Sequence, residues 1–128
     1  MAQPNIKNVA AVYGQSVGCT LTTDWVVFIT VLAEYEVKVN YIHIANWDND
    51  AGATCDVRLV KADQDPIGIL DYDISCTILL ANTVNVPVDD VLILVDRPFY
   101  MMAGDTLSAK ADAVNDLDIL ISFEAIID

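Results

Sequence analysis

Residues 117–123 read Leu-Asp-Ile-Leu-Ile-Ser-Phe. That alternation is the signature of a half-buried β-strand. Leu117, Ile119, Ile121 and Phe123 fall on one face, and Asp118, Ser122 and Glu124 on the other, with Leu120 the one apolar residue of the second face. Such a strand cannot stand alone, because its ladder groups and apolar face need partners. The preceding residues offer them. Residues 91–95 are an apolar run that Asp96-Arg97-Pro98 stops. Residues 99–102 lead to Gly104, a predicted turn position with φ > 0. Leu107, Ala109 and Ala111 then alternate with Ser108, Lys110 and Asp112, and Val114-Asn115-Asp116 turns the chain.

The first ninety residues follow the same grammar. Residues 1–8 are polar, contain Pro4 and read as an extended arm. Gly14 and Gly18 interrupt residues 9–21, which disfavours a helix and predicts a short strand or two. Residues 25–32, Trp-Val-Val-Phe-Ile-Thr-Val-Leu, are apolar on both faces, as expected of a covered strand. In residues 37–45 the apolar set changes face. Val37, Val39 and Tyr41 share one side, Ile42 and Ile44 the other, so a bulge or a bend into a second sheet is expected near Asn40 and Tyr41. Asn46 to Gly52 is a strong turn signal. Cys55, Val57 and Leu59 alternate with Asp56 and Arg58, residues 62–73 form a loop, and residues 74–81 a strand. Pro87 confines residues 84–88 to a sheet edge or a strand end. About eight strands at this spacing predict an all-β fold. The expected form is an antiparallel two-sheet sandwich, jelly-roll-like or immunoglobulin-like, over residues 9–128.

Composition narrows the function classes. The net charge is −13, and the six cations, Lys7, Lys38, Arg58, Lys61, Arg97 and Lys110, are scattered. A surface of that kind disfavours nucleic acid and anionic membranes as partners. Hydrophobic residues make up 55%, enough for a real core and too many for an acidic disordered chain. No apolar run approaches the length of a membrane helix, and the first residues lack the apolar centre of a signal peptide. Cys19, Cys55 and Cys76 are odd in number and form no C-x-x-C, so they are expected to be small buried hydrophobes in a chain folded in a reducing cytosol.

Chemistry is hard to find. No nucleophile elbow, P-loop or dinucleotide fingerprint occurs. The single histidine, His43, lies mid-strand between Ile42 and Ile44, with no nucleophile or orienting carboxylate placed beside it by the sequence. Asp48-Asn49-Asp50-Ala51-Gly52 starts like a calcium loop but continues Ala53-Thr54-Cys55, without the closing Glu. Asp71-x-Asp73 and Asp89-Asp90 are equally incomplete and read as solvated turns. No enzyme activity, cofactor or metal is expected. Trp47, in a turn, is the best candidate for an exposed ring.

Five segments together carry a resemblance. They are Met1-Ala-Gln-Pro-Asn-Ile-Lys-Asn-Val with Val12-Tyr13-Gly14; Val37-Lys-Val-Asn-Tyr-Ile-His-Ile-Ala-Asn; Val86-Pro-Val-Asp-Asp; Asp96-Arg-Pro-Phe-Tyr-Met-Met-Ala-Gly-Asp-Thr-Leu; and Asp116-Leu-Asp-Ile-Leu-Ile-Ser-Phe-Glu-Ala-Ile. The chain thereby resembles small virion structural proteins of tailed bacteriophages over most of its length. The resemblance implies a non-enzymatic β-sandwich present in many copies, assembled in the host cytoplasm and carried on the virion. Capsid decoration or cementing is the first expectation, with the major capsid protein or other virion proteins as partners and a homo-oligomer such as a trimer. A neck or tail-fibre module that binds another virion protein or a host glycan is the alternative. Met101-Met102 stands where those proteins have Leu-Glu, which makes that segment more apolar and an expected contact edge. The candidate contact residues are therefore Gln3, Pro4, Asn5 and Ile6 of the arm, Trp47, and Phe99, Tyr100, Met101 and Met102.

Overall fold

The computed structural model describes residues 11–48, 51–62, 68, 75–95 and 97–127. The arm residues Gln3, Pro4, Asn5 and Ile6, and the loop aspartates Asp50, Asp71 and Asp73, lie outside them. Nine strands occur among the described residues: β1 (Ala11–Thr20), β2 (Val26–Thr30), β3 (Tyr35–Asn46), β4 (Ala53–Lys61), β5 (Cys76–Val86), β6 (Val91–Val95), β7 (Phe99–Met101), β8 (Thr106–Ala111) and β9 (Leu117–Ile127). They form two antiparallel sheets. One has the order β1-β9-β3-β6, with β7 also on β3, and the other the order β2-β8-β4-β5. No helix of the described residues is long and apolar enough to cross a membrane.

The strand order selects the topology. β6 and β7 pair with the same strand, β3, through Ile42 opposite Val95 and Val39 opposite Phe99. They are two halves of one strand, interrupted where Pro98 cannot donate to the ladder. Counted as one, they reduce the sandwich to eight strands in the orders 1-8-3-6 and 2-7-4-5. Every connection except β4 to β5 then passes from one sheet to the other. That is the double Greek key of a jelly roll, not the hairpin-rich order of an immunoglobulin domain.

The face change in β3 has a local cause. Val39 lies opposite Phe123 and Tyr41 opposite Ser122, so Asn40 is an extra residue in the ladder. This bulge resets the phase of the strand. Val37 and Val39 before it, and Ile42 and Ile44 after it, therefore all point into the core. β3 pairs with β9 on both sides of the bulge, so it stays in one sheet. The core lies between that row, Ile119 and Ile121 of β9, and the facing residues Cys55, Val57, Leu107 and Ala109 of the second sheet. Burying each of the larger aliphatic side chains contributes about 1.5–3 kcal/mol.

One end of the sandwich is closed by a tight turn. Gly104 adopts φ +89°, and its N–H donates to Val31 O at 2.8 Å. A Cβ there would also stand 2.8 Å from Ala62 Cβ, so glycine is required twice over. The next residue, Asp105, is fully buried. Its carboxylate accepts the N–H of Ala62 at 2.8 Å and of Met102 at 2.9 Å, and the ammonium of Lys61.

Four local expectations are corrected. Residues 11–20 form one unbroken strand, because Gly14 and Gly18 fit a ladder that regular pairing with β9 supplies. The stretch 25–32 is not a covered strand: β2 is a sheet edge, and Val27 and Leu32 are exposed. Residues 76–86 join what looked like two segments into one strand, with register shifts on its β4 side. Cys55 is buried, but Cys19 and Cys76 are exposed because both lie on edge strands.

Candidate functional site

The sequence-derived contact residues do not form one surface. Along β7 the side chains alternate: Phe99 is half-buried against the core, Tyr100 is 50% exposed, and Met101 is 0% exposed. Met101 sits opposite Val37 on the inward row of the first sheet. It is a core residue, and the expectation of an apolar contact edge at Met101-Met102 is withdrawn. Met102 is half-buried, and its N–H is held by Asp105. Tyr100 alone of this segment faces outward, in the cross-strand row Tyr100, Lys38, Glu124. Lys38 Nζ and Glu124 Oε2 are 3.6 Å apart in that row, an exposed pair worth little by itself.

Trp47 lies just beyond the far end of β3 and is 54% exposed. Its indole N–H donates to Asp118 Oδ1 at 3.2 Å, and its backbone N–H to Asp116 O at 3.1 Å. Asp118 Oδ1 also accepts the Thr20 hydroxyl at 2.6 Å, so β1, β9 and the end of β3 are tied together there. The ring is thus fixed by its edge, with a face left to solvent. Nine residues of β3 separate this level from Tyr100, about 30 Å at strand rise.

Outward residues of the first sheet assemble a patch the sequence reading did not collect. His43 is opposite Leu120 on one side and Ile93 on the other. Ile93 is 62% exposed, and Val91, Tyr41 and Leu120 are exposed around it. Two signals in the sequence marked it. Leu120 broke the polar face of β9, and residues 91–95 are apolar on both faces. The inward side of β6 faces the core, and the outward side is left over.

A second apolar feature is a groove of about 280 Å3 between β2 and the inward side of the first sheet. Phe28, Leu32, Tyr35, Phe123 and Ala125 are among its walls. On the second sheet, Trp25 is half-buried beneath two cations. Arg58 stands 4.0 Å and Lys110 4.9 Å from the ring centroid, and Arg58 Nε donates to the buried Ser108 Oγ at 3.1 Å. These cations serve the ring and the sheet.

The acidic turns are built into the fold. Asn46, buried, donates from Nδ2 to Val86 O at 2.9 Å and Ala51 O at 3.1 Å, while its Oδ1 accepts the Asp48 N–H at 2.9 Å. Asp112 Oδ1 accepts the Thr54 N–H at 3.1 Å. Partial burial first, then the charge of Asp48, a hydrogen bond with Asp48 and the charge of Asp112 hold the Asp116 carboxyl above the usual carboxylate range. Among the described residues no three His, Cys, Asp or Glu side chains are grouped so as to hold a metal ion.

No protein-family profile matches the chain, and no characterised protein matches it in sequence. Two solved structures are similar in fold. One is from Bacillus endospore appendages, described as a novel family of disulfide-linked pili, with 10% identity and a TM-score of 0.46 over 91% of this chain and 87% of that one. The other is the VP2 subviral particle of infectious bursal disease virus, with 8% identity and a TM-score of 0.33 over 91% of this chain and 41% of that one. The present chain thus spans less than half of the VP2 chain.

Proposed function

We propose that this chain is a non-enzymatic structural protein of a bacteriophage particle, decorating or cementing the outside of the capsid in many copies. The observation that carries the reading is the outward side of the first sheet. His43 has Leu120 and Ile93 as its cross-strand neighbours, where a catalytic base would need a nucleophile and a carboxylate. Around it Tyr41, Val91 and Ile93 are exposed. An apolar patch rimmed by polar residues is the makeup of a protein contact. The sequence resemblance to tailed-phage virion proteins supplies the particle, and the major capsid protein is the partner it implies. Contacts of this size, repeated over a lattice, give a firm coat from modest individual affinities.

The test is the position and number of copies on purified particles. Copies spread over the whole head, and lost when Ile93 and Leu120 are both replaced by Glu in a chain that still folds, support the reading. A single ring of copies at one vertex, or full occupancy by the double variant, sinks it.

Trp47 favours a second reading, a neck or tail-fibre module that binds another virion protein or a host glycan. Its ring is exposed and oriented by Asp118, and a fixed aromatic face suits both kinds of partner. Binding of the isolated chain to host envelopes, abolished by Trp47→Ala, would select this reading over the first.

A further inference from the structure

We infer that β1 is the contact surface for a second copy of this chain, the two strands pairing antiparallel about a twofold axis at Gln15. This contact does not depend on what the assembled pair coats. Among the described residues β1 pairs with β9 alone, so the other side of its backbone presents N–H and C=O groups with no strand partner among them. Such an edge is a template for another strand, and proteins blunt it with charge, proline, bulges or brevity.

The four edges of this sandwich differ in that respect. β2 has five residues and a register shift. β6 and β7 have five and three residues, with Pro98 between them. β5 is long, but it carries register shifts against β4 and a left-handed Thr83 at φ 53°. β1 alone runs ten residues in unbroken register, with no proline and no charged side chain. Its inward row is also mostly exposed. Phe123 and Ile119 of β9 pack against or within the core, whereas Gln15 and Cys19 opposite them on β1 are exposed, as is Tyr13. Of this row only Val17, opposite Ile121, packs on the core among the described residues.

Charge selects the occupant. Two bodies of net charge −13 repel, and they approach at least cost where neither presents an acid. An uncharged edge meeting its own copy satisfies that condition for residues 11–19, the nine that pair about Gln15. With Gln15 opposite its own mate, Tyr13 of each copy lies beside Val17 of the other, an aromatic–β-branched pair. The same register keeps both inward rows on one side, so the two sheets continue as one. The nine-residue pairing is about 30 Å long at strand rise.

Light scattering on the eluting full chain, with amide hydrogen exchange, tests the assignment. The unaltered chain should elute at twice the monomer mass and exchange slowly along all of β1. Gln15→Lys and, separately, Ser16→Lys should each halve the mass and speed β1 exchange, with the circular dichroism spectrum unchanged. Mass of a monomer or a trimer for the unaltered chain overturns the inference. So does a dimer that survives both variants, or one that disappears when residues 2–8 are deleted while β1 is intact.

Discussion

Lys61 and Asp105 are the next cross-strand pair beyond Val60 and Thr106, and there the ladder between β4 and β8 gives way to an ion pair. Asp105 is fully buried, and Lys61 keeps 18% of its side chain in solvent. Removing a carboxylate and an ammonium from water costs several kcal/mol per ion, and a bare pair rarely recovers it. Here the carboxylate also accepts two backbone N–H groups, from Ala62 and Met102. The turn at Gly104, the end of β4 and the start of β8 are thereby locked to one oxygen pair. Asp105→Ala should cost about 3–5 kcal/mol of stability, the range for removing one partner of a buried pair. Lys61→Met should cost clearly less, because Asp105 keeps both backbone donors. Urea unfolding of both variants checks the order, and an equal or reversed ranking would count against this account.

Neighbouring residues of β7 should respond oppositely to the same substitution. Met101→Glu puts a carboxylate into the core opposite Val37 and should unfold the chain or cost more than about 3 kcal/mol. Tyr100→Glu, on the outward side, should stay within about 0.5 kcal/mol of the parent. Thermal melts of the two proteins decide the matter; a tolerant Met101 site would mean that β7 faces the other way.

The three thiols should separate by environment. Burial, then the charges of Asp56 and Asp112, push Cys55 up to about 11. Burial and Asp118 also raise Cys19, but that side chain is exposed on an edge strand. The thiolate is the reactive form. Cys19 and Cys76 should therefore react with an aromatic disulfide reagent in the native protein, and Cys55 only after unfolding. Mass mapping of the adducts reads the result, and early modification of Cys55 would contradict its place in the core.

Mild acid should stabilise this protein. Glu36 is raised by burial, and Asp116 by burial and by Asp48 and Asp112. A carboxyl whose pKa is higher in the folded than in the unfolded state holds its proton longer when folded. Its contribution is fully present below the unfolded value and is lost as pH rises through the folded value. Lowering the pH from neutral into the folded-state range of these two groups should thus raise the melting temperature. The relief of a −13 net charge acts in the same direction. Asp116→Asn should flatten part of the rise, and a melting temperature that falls over the same interval would exclude the effect.

Much of this architecture was legible in the residues, because its signals are local. Alternation in residues 117–123 and 107–111 showed which side chains face inward. A phase break in residues 37–45 announced a bulge or a bend near Asn40 and Tyr41, since one inserted residue must flip a two-residue period, and the ladder resolves it as a bulge at Asn40. Gly104 marked a left-handed turn. The contact surface was harder to read. Trp47 was found as an exposed ring, while Met101 was mistaken for one side of an edge, because two adjacent methionines do not say which of them is covered.

What the chain alone determined was therefore the set of strands, their turns and most of their inward rows. Sheet order was decided only in three dimensions. A strand residue is buried by whatever lies across from it, and that partner is often far away in sequence. Val27 and Cys19 are exposed because β2 and β1 are edges, and the patch around His43 exists because β9, β3 and β6 were brought side by side.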